Sequence, residues 1–489
     1  MDDYRIIDHP IIKFKRGKKV SFTYNGKVVE AYEGESVLAA LYAAGFRVFS
    51  YSSDGQRPRG AFCMIGRCSS CLSTVNGLPN TRICIEPVRD GLVVETQKGV
   101  VDPPSKTLGD SVETRVVETD VLVIGGGPAG LKAADILGEK GVSTILVTDH
   151  FKLGGQLVKQ THKFFGSSEY YGGVRGFKIA EILADKVKRK SSVKVFTRAT
   201  VYGYFEEGHV GVAVEGEKPL NLLIKPNFML VSPGAMEKMI LFENNDLPGV
   251  MGAGGAQTLM NEYGVRPGER ALVVGSGNVG LIVGYQLLQA GVKVEALVEI
   301  LREIGGWFVH AAKIRRLGVP ILTSHTILRA EGDQRVERAV VAQVDDEMKP
   351  LSGTEKVFEV DLVLLAVGLQ PNYQLLSEMG AIMKYVPEVG GLAPVRTLCM
   401  ETSIPNVFVA GDASGIEEAT TAFIEGEIAA LTILERLGYP EARERREKLL
   451  KYLWEEYRES PVVKRARDGK RKLTVTEEEM VKLRAEMGG

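Results

Sequence analysis

Apolar and polar positions alternate with period two over VSFTY (20–24) and again over KVVEAY (27–32), with Asn25-Gly26 between them. That alternation predicts two half-buried strands, and Asn-Gly suits the two positive-φ positions of a tight hairpin turn. SVLAALYAAG (36–45) abandons the alternation and reads as a short helix ended by Gly45. Further on, VLVI (121–124) is an uninterrupted apolar run, the mark of a strand buried on both faces. GGGPAG, a helical LKAADIL and a second strand, TILVTD, follow it. The order recurs in RALVV (270–274), GSGNVG, a helical stretch and a strand closed by Glu299. Two strand–glycine turn–helix–strand units predict two α/β domains with parallel sheets. Near the end, YPEARERREKLLKYLWEEYRES is a charged amphipathic helix with Leu449, Leu450, Leu453 and Trp454 on one side. TEEEMVKLRAEM then opens on a Thr476/Glu479 capping box.

Length and charge narrow the class. At 489 residues the chain exceeds what one hydrophobic core sustains. Its 61 basic residues nearly cancel 62 acidic ones, so no global field draws it to nucleic acid or anionic lipid. Nothing approaches the roughly 20 uninterrupted apolar residues of a membrane span. MDDYRIIDHP shows no apolar signal stretch, and sparse cysteine fits a reducing interior; the expectation is a cytoplasmic protein.

Three of the five cysteines fall in CMIGRCSSC (63–71), and Cys84 follows. Cys63, Cys68, Cys71 and Cys84 thus have the spacing C-x4-C-x2-C-x12-C, the plant-type ligand run of a [2Fe–2S] cluster. Zinc, which usually takes two separated C-x2-C pairs, and inert thiols are the alternatives. Gly66 gives the loop a position without a Cβ.

The glycine turns carry the other candidate chemistry. Gly125, Gly127 and Gly130 form G-x-G-x-x-G between strand and helix, and Asp149 closes the next strand where an acid meets a ribose. The third glycine lets helix and strand pack, and the helix N-terminus favours a pyrophosphate. Gly275, Gly277 and Gly280 repeat the pattern with Glu299, a carboxylate that favours NAD over NADP; Arg302 weakens that preference.

These features resemble known families. Hairpin, helix and cysteine loop resemble the β-grasp [2Fe–2S] ferredoxin domain. The short gap before Cys84 is closer to xanthine oxidase and succinate dehydrogenase iron–sulfur subunits than to free plant ferredoxins. Two nucleotide units, one inserted in the other, resemble two-dinucleotide flavoproteins such as thioredoxin reductase. There GGQL (154–157), with Gly155 and Gln156, passes beside the flavin. VSPGA (231–235) and LLAVGLQPN (364–372) resemble the crossovers into and out of the inserted domain. SIPNVFVAGDAS, with Gly411 and Asp412, resembles the second flavin motif, and the helix from ATTAFIEG, with Thr421, would aim its positive end at the isoalloxazine. The only C-x-x-C lies within the cysteine run and Cys399 has no second cysteine near it in sequence, so dithiol chemistry is not expected.

The combination, with NDLPGVMGAGGAQ between the nucleotide units, resembles the alpha subunit of multisubunit amine and imino-acid dehydrogenases. These include dye-linked L-proline dehydrogenase, heterotetrameric sarcosine oxidase and hydrogen cyanide synthase; the resemblance covers roughly residues 15–435. It implies FAD, NAD(H) and [2Fe–2S], with ATP in place of FAD or FMN shared with a partner as variants. It also implies a beta subunit of glycine-oxidase type, carrying its own FAD, that oxidises the amine. Small ferredoxin-like partners also fit, because the tail has no cysteine, a departure from family members with a second cluster domain or a folate-binding extension.

The expected organisation is α/β with α+β. Residues 1–112 form a β-grasp domain, 113–240 with 355–435 a discontinuous FAD domain, 241–354 an NAD(H) domain, and 436–489 a charged helical tail. KRARDGKRK (464–472) reads as a solvated basic face, with docking to an acidic partner next and nucleic acid last. His162 reads as a loop hydrogen-bonding residue, and no catalytic side chain is named, because hydride transfer to flavin needs ring stacking rather than an acid or base. The function expected is electron transfer among NADH, FAD and [2Fe–2S] within an L-proline-type dehydrogenase. A relay subunit with a silent NAD site and a stand-alone NADH-dependent reductase are the competitors.

Overall fold

The computed structural model describes residues 3–102, 112–164, 166–216, 218–460 and 463–487. Most of the Pro-rich connector VVDPPSKTLGDS lies outside the described residues, which resume at the expected boundary, 112/113. The chain divides into two units, 1–108 with 237–368 and 109–236 with 369–489.

In the first unit, strands Lys19–Tyr24 and Lys27–Tyr32 pair antiparallel with Phe22 opposite Val29. Asn25 and Gly26 turn between them at φ 49° and 76°, the double positive φ of a hairpin whose twist matches its strands. Val20, Phe22 and Tyr24 are buried with Val29 and Ala31. Helix Val37–Ala43 packs beneath, its Ser36 side chain accepting from the Ala39 amide at 3.2 Å. Strand Val93–Lys98 runs parallel to Lys19–Tyr24 and also pairs Ser50–Tyr51 and Leu72–Val75, completing a mixed β-grasp sheet.

The same unit holds a five-stranded parallel sheet in the order Val250–Gly252, Leu362–Leu365, Arg270–Val274, Lys293–Val298, Ile321–Leu322. Helices Ala253–Asn261, Asn278–Gln289 and Phe308–Arg316 accompany it. Leu362–Leu365 is buried at every position and pairs with Val250–Gly252 on one edge and Arg270–Val274 on the other. The inserted segment is therefore 237–368 rather than 241–354.

In the second unit, the sheet runs Val193–Phe196, Thr144–Val147, Glu113–Ile124, Leu220–Val231, Val210–Val214, Ala199–Tyr204, and Val407–Val409 joins Leu220–Val231. Helices Pro128–Glu139, Gly176–Lys188 and Ala419–Arg436 bury one face of it. Leu376 and Ala381 help to cover the other.

Residues 436–489 are not a separate tail. Helix Ala442–Lys451 continues through a π-helical turn, Tyr452–Tyr457, and buries Leu449 and Leu453 in the core. Trp454 and Leu450 pack against that core only partly buried. Helix Lys464–Leu473 inserts Leu473 beside Val389, and Thr474–Val475 pairs with Arg396–Thr397. The basic run is accordingly split: Lys464, Arg471 and Lys472 are exposed while Lys470 is wholly buried. The Thr476/Glu479 capping box forms reciprocally, at 2.7 and 3.1 Å. Among the described residues no helix is long and apolar enough to cross a membrane.

Candidate functional site

The cysteine loop is built by left-handed backbone. Met64, Gly66 and Ser69 have φ of 56°, 72° and 57°, and a Cβ on Gly66 would lie 2.8 Å from Ile85. This curl brings the Cys63 sulfur within hydrogen-bond reach of Cys68 and Cys84, and Cys84 within reach of Cys71. The Arg67 amide donates to the Cys63 sulfur at 3.4 Å. Bonds from Cys68 and Cys84 push the Cys63 thiol far below its ordinary value. Donating to that thiolate, and burial with it, raise Cys68 and Cys84. Among the described residues no three His, Cys, Asp or Glu side chains surround one point as ligands of a single ion. The sulfurs form a chain, Cys68–Cys63–Cys84–Cys71, and this donor set fits a cluster that spreads its ligands over two irons. Cys399 belongs to the other unit.

The loop rests on the stretch singled out in the sequence. Gly252 donates its amide to the Phe62 carbonyl at 3.2 Å. A Cβ on Gly255 would fall 2.2 Å from that same oxygen, and one on Gly60 would fall 2.9 Å from Pro248 Cα. Arg57 reaches Asp246 at 2.5 Å, and Arg59 pairs with the other oxygen of the same carboxylate. NDLPGVMGAGGAQ is glycine-rich where backbone meets backbone: it is the seat of the cysteine loop.

In the second unit, Gly125 sits at φ 112°, and a Cβ there would lie 2.2 Å from the Ser232 carbonyl. A Cβ on Gly130 would lie 2.0 Å from the Gly125 oxygen, and Gly127 is the N-cap of helix Pro128–Glu139. GGQL folds back onto this turn: Gly154 donates to the Gly126 carbonyl at 2.8 Å, and Gly155 lies against Gly127. Gln156 is exposed beside it. Gly411, at φ 70°, approaches Ala129 and Ala422, so the second motif meets the first at one helix start. Burial raises Asp412 to about 6, although the Glu417 amide, 3.4 Å away, opposes the shift. The Thr421 hydroxyl is spent on the Glu418 carbonyl at 2.8 Å. Asp149 is exposed, and Thr148 is the side chain that faces Gly126. The His162 ring stacks on Phe164 at 5.3 Å.

The other glycine turn repeats the geometry. Gly275 has φ 102° with the Ala366 oxygen 2.4 Å from a built Cβ, and Gly280 would clash with Gly275 at 2.1 Å. Gly277 caps helix Asn278–Gln289. Glu299 is buried and accepts from Ser276 twice, amide at 2.9 Å and hydroxyl at 2.7 Å, and from the Leu301 amide at 3.0 Å. Arg302 is exposed and pairs with Asp346.

Sequence reading missed one group altogether. Glu425 lies on the buried length of helix Ala419–Arg436, and Arg396, Arg458 and Lys470 surround it. The available signal was the pair of glutamates in AFIEGEIAAL.

Two dinucleotide turns and a four-cysteine loop define an FAD-dependent oxidoreductase with a [2Fe–2S] domain. Residues 119–426 match the pyridine nucleotide-disulphide oxidoreductase family, and the chain belongs to it. Residues 17–99 match the 2Fe-2S iron-sulfur cluster binding domain. The sarcosine oxidase alpha subunit of Corynebacterium sp. strain U-96 is 25% identical over 88% of this chain and 45% of its own length, so the chain spans about half of that relative. An opine oxidase subunit of Rhizobium meliloti strain 1021 is 28% identical over 66% of this chain and 72% of its own. Among solved structures, L-proline dehydrogenase from P. horikoshii superposes with a TM-score of 0.66 at 26% identity, covering 90% of this chain and 79% of that one.

Proposed function

We propose that this chain is the electron-transferring alpha-type subunit of a multisubunit amine or imino-acid dehydrogenase, with L-proline the leading substrate class of the complex. The observation that carries the reading is the cysteine loop seated on the same unit as the second glycine turn, in a chain whose other unit holds a complete first-and-second flavin motif. The similarity to subunits of sarcosine oxidase and opine oxidase, and to an L-proline dehydrogenase, supports it.

In this reading Gly125, Gly127, Gly130, Gly155 and Gln156 line the FAD pyrophosphate side, with Gly411, Asp412 and Thr421 contributing the second motif. Gly275, Gly277, Gly280 and Glu299 take NAD(H), and Cys63, Cys68, Cys71 and Cys84 take the cluster. FAD, when bound, supplies the step between two-electron hydride chemistry and one-electron transfer. The protein's own part is geometric: glycine turns admit the phosphates to bare amides, helix N-termini offset their charge, and buried sulfurs keep the cluster from water. No side chain here needs to move a proton to carry a hydride. The amine itself is assigned to a partner beta subunit of glycine-oxidase type with its own FAD.

Anaerobic titration of the isolated chain with NADH tests this. Flavin bleaching followed by cluster reduction is expected, with no reduction by L-proline or sarcosine even with a dye acceptor. Amine oxidation by this chain alone would overturn the proposal. Cys71→Ala should lose cluster absorbance and keep flavin, and one zinc without sulfide would end the cluster assignment. One observation favours a relay with a silent NAD site: three donors already engage Glu299. Full flavin loading with no NADH response would select that reading.

A further inference from the structure

The helix Ala419–Arg436 begins just after the loop Gly411–Ser414 and buries a carboxylate, Glu425, with no exposed surface. One Glu425 oxygen holds that loop, accepting from the Gly411 amide at 3.0 Å and the Ser414 hydroxyl at 2.6 Å. The other faces three cations: Arg458 at 2.7 Å, Lys470 at 2.9 Å and Arg396 at 3.5 Å. Lys470 also donates to Ser414 at 2.8 Å, and Arg458 reaches Glu417 at 2.6 Å. All three cations are fully buried. Two of them, Arg458 and Lys470, come from the last fifty or so residues, more than thirty positions beyond the carboxylate they meet.

A buried carboxylate is tolerable only when paired, and removing its partner leaves an uncompensated charge in the core. Without Arg458 and Lys470, Glu425 would keep only Arg396, at 3.5 Å, as a partner for its charge. The cluster carries three positive groups against Glu417 and Glu425, and among the described residues Arg396 Nε and Arg458 Nη1 have no hydrogen-bond partner. The surplus is positive, and Lys470 favours the ionised form of the half-buried Asp412 while Glu425 and Glu417 oppose it.

We infer that Arg458 and the segment from Val463 to Val475 form an integral strap of the first nucleotide site. Arg458 and Lys470 keep Glu425 ionised, and Glu425 fixes the Gly411–Ser414 loop that presents Asp412. Lys470, Arg458 and Glu425 are positioning residues, and none of them touches the nucleotide. This rests on the assignment of Gly411 and Asp412 to a nucleotide, but not on that nucleotide being FAD.

The test is amide hydrogen exchange at Gly411, whose N–H donates to Glu425, together with nucleotide released from the purified chain. Lys470→Met should speed Gly411 exchange at least tenfold and strip most of the nucleotide, while cluster absorbance, which belongs to the other unit, is unchanged. Lys470→Arg should restore both. Wild-type exchange and wild-type nucleotide content in Lys470→Met would overturn the inference. Should that variant not fold, the wild-type chain decides: under mild denaturant the Gly411 amide and the amides of helix Lys464–Leu473 should open in one step. A strap that opens while Gly411 stays protected would equally overturn it. Release of a nucleotide other than FAD would defeat the FAD assignment and leave the exchange result standing on its own.

Discussion

The two glycine turns share their backbone and part company one strand later. In both, the first glycine takes a left-handed φ beneath a neighbouring carbonyl, and the third lies about 2 Å, Cβ to oxygen, from the first. Both second glycines cap a helix of twelve residues. The same number of residues then separates Gly125 from Asp149 and Gly275 from Glu299. Yet Ile124 pairs with Val147, whereas Val274 pairs with Val298 after a register shift that leaves Glu295 unpaired. A β-bulge of this kind inserts one residue and re-aims the side chains beyond it. It turns Glu299 into the loop, against Ser276, where the first turn places Thr148 against Gly126. Counting along the chain equates Asp149 with Glu299; the sheet equates Thr148 with it.

Breaking the shared part should give the largest effects. Gly130→Val and Gly280→Val each drive a side chain into the preceding turn's carbonyl. Overpacking of this severity costs about 3 kcal/mol, roughly a hundredfold in binding. Gly280→Val should abolish flavin bleaching by NADH while flavin stays bound, and Gly130→Val should release the flavin. A Gly280→Val chain that still bleaches at the wild-type rate would place the NADH site elsewhere.

The next effect tests what only the second turn's unit carries, the seat of the cysteine loop. Gly255→Val meets the Phe62 carbonyl and should cost about 1–3 kcal/mol. Proteolysis between the cysteine domain and residue 237 should quicken, and the cluster's spectrum should shift without loss of iron. Unchanged proteolysis would show that Arg57, Arg59 and Asp246 hold the seat by themselves.

How much of this was legible depended on sequence distance. Asn25-Gly26, the short helix ended by Gly45 and both G-x-G-x-x-G turns could be read because a few neighbouring residues decide their backbone. The strand Leu362–Leu365 was assigned across the wrong boundary because an apolar run does not say which sheet it completes. Lys470 was taken for part of a solvated basic face because its partner, Glu425, is 45 residues away. The seat of Cys63 on Gly255 spans a longer separation still, and only the excess of glycine hinted at a close approach. The bulge at Glu295 left no mark in the local pattern.

The third effect is of similar size and belongs to the acid itself. Glu299→Gln keeps the shape and loses the charge that two Ser276 donors and the Leu301 amide meet. Hydrogen bonds to a charged group contribute about 1.5–3 kcal/mol, so NADH affinity should fall roughly tenfold or more. The preference over NADPH should narrow at the same time, because the carboxylate no longer repels a 2′-phosphate. Equal bleaching by NADPH in the wild-type chain would remove the role given to Glu299.

The smallest effect separates the two ways of aligning the turns. If position along the chain governs, Asp149 meets the ribose of the first nucleotide and Asp149→Ala should weaken flavin binding about as much as Glu299→Gln weakens NADH. The pairing argues otherwise: Asp149 is exposed, and Thr148, buried against Gly126, occupies the place from which Glu299 reaches Ser276. An exposed acid that the strand pairing carries away from Gly126 contributes little to the site, so Asp149→Ala should change flavin affinity by less than roughly threefold. Thr148→Val, which keeps the shape and removes the hydroxyl, should do more. The measurement is flavin retention on dilution, followed by fluorescence. A larger loss from Asp149→Ala than from Thr148→Val would mean that the exposed aspartate folds over the ribose when the site is filled, and that spacing was the better guide after all.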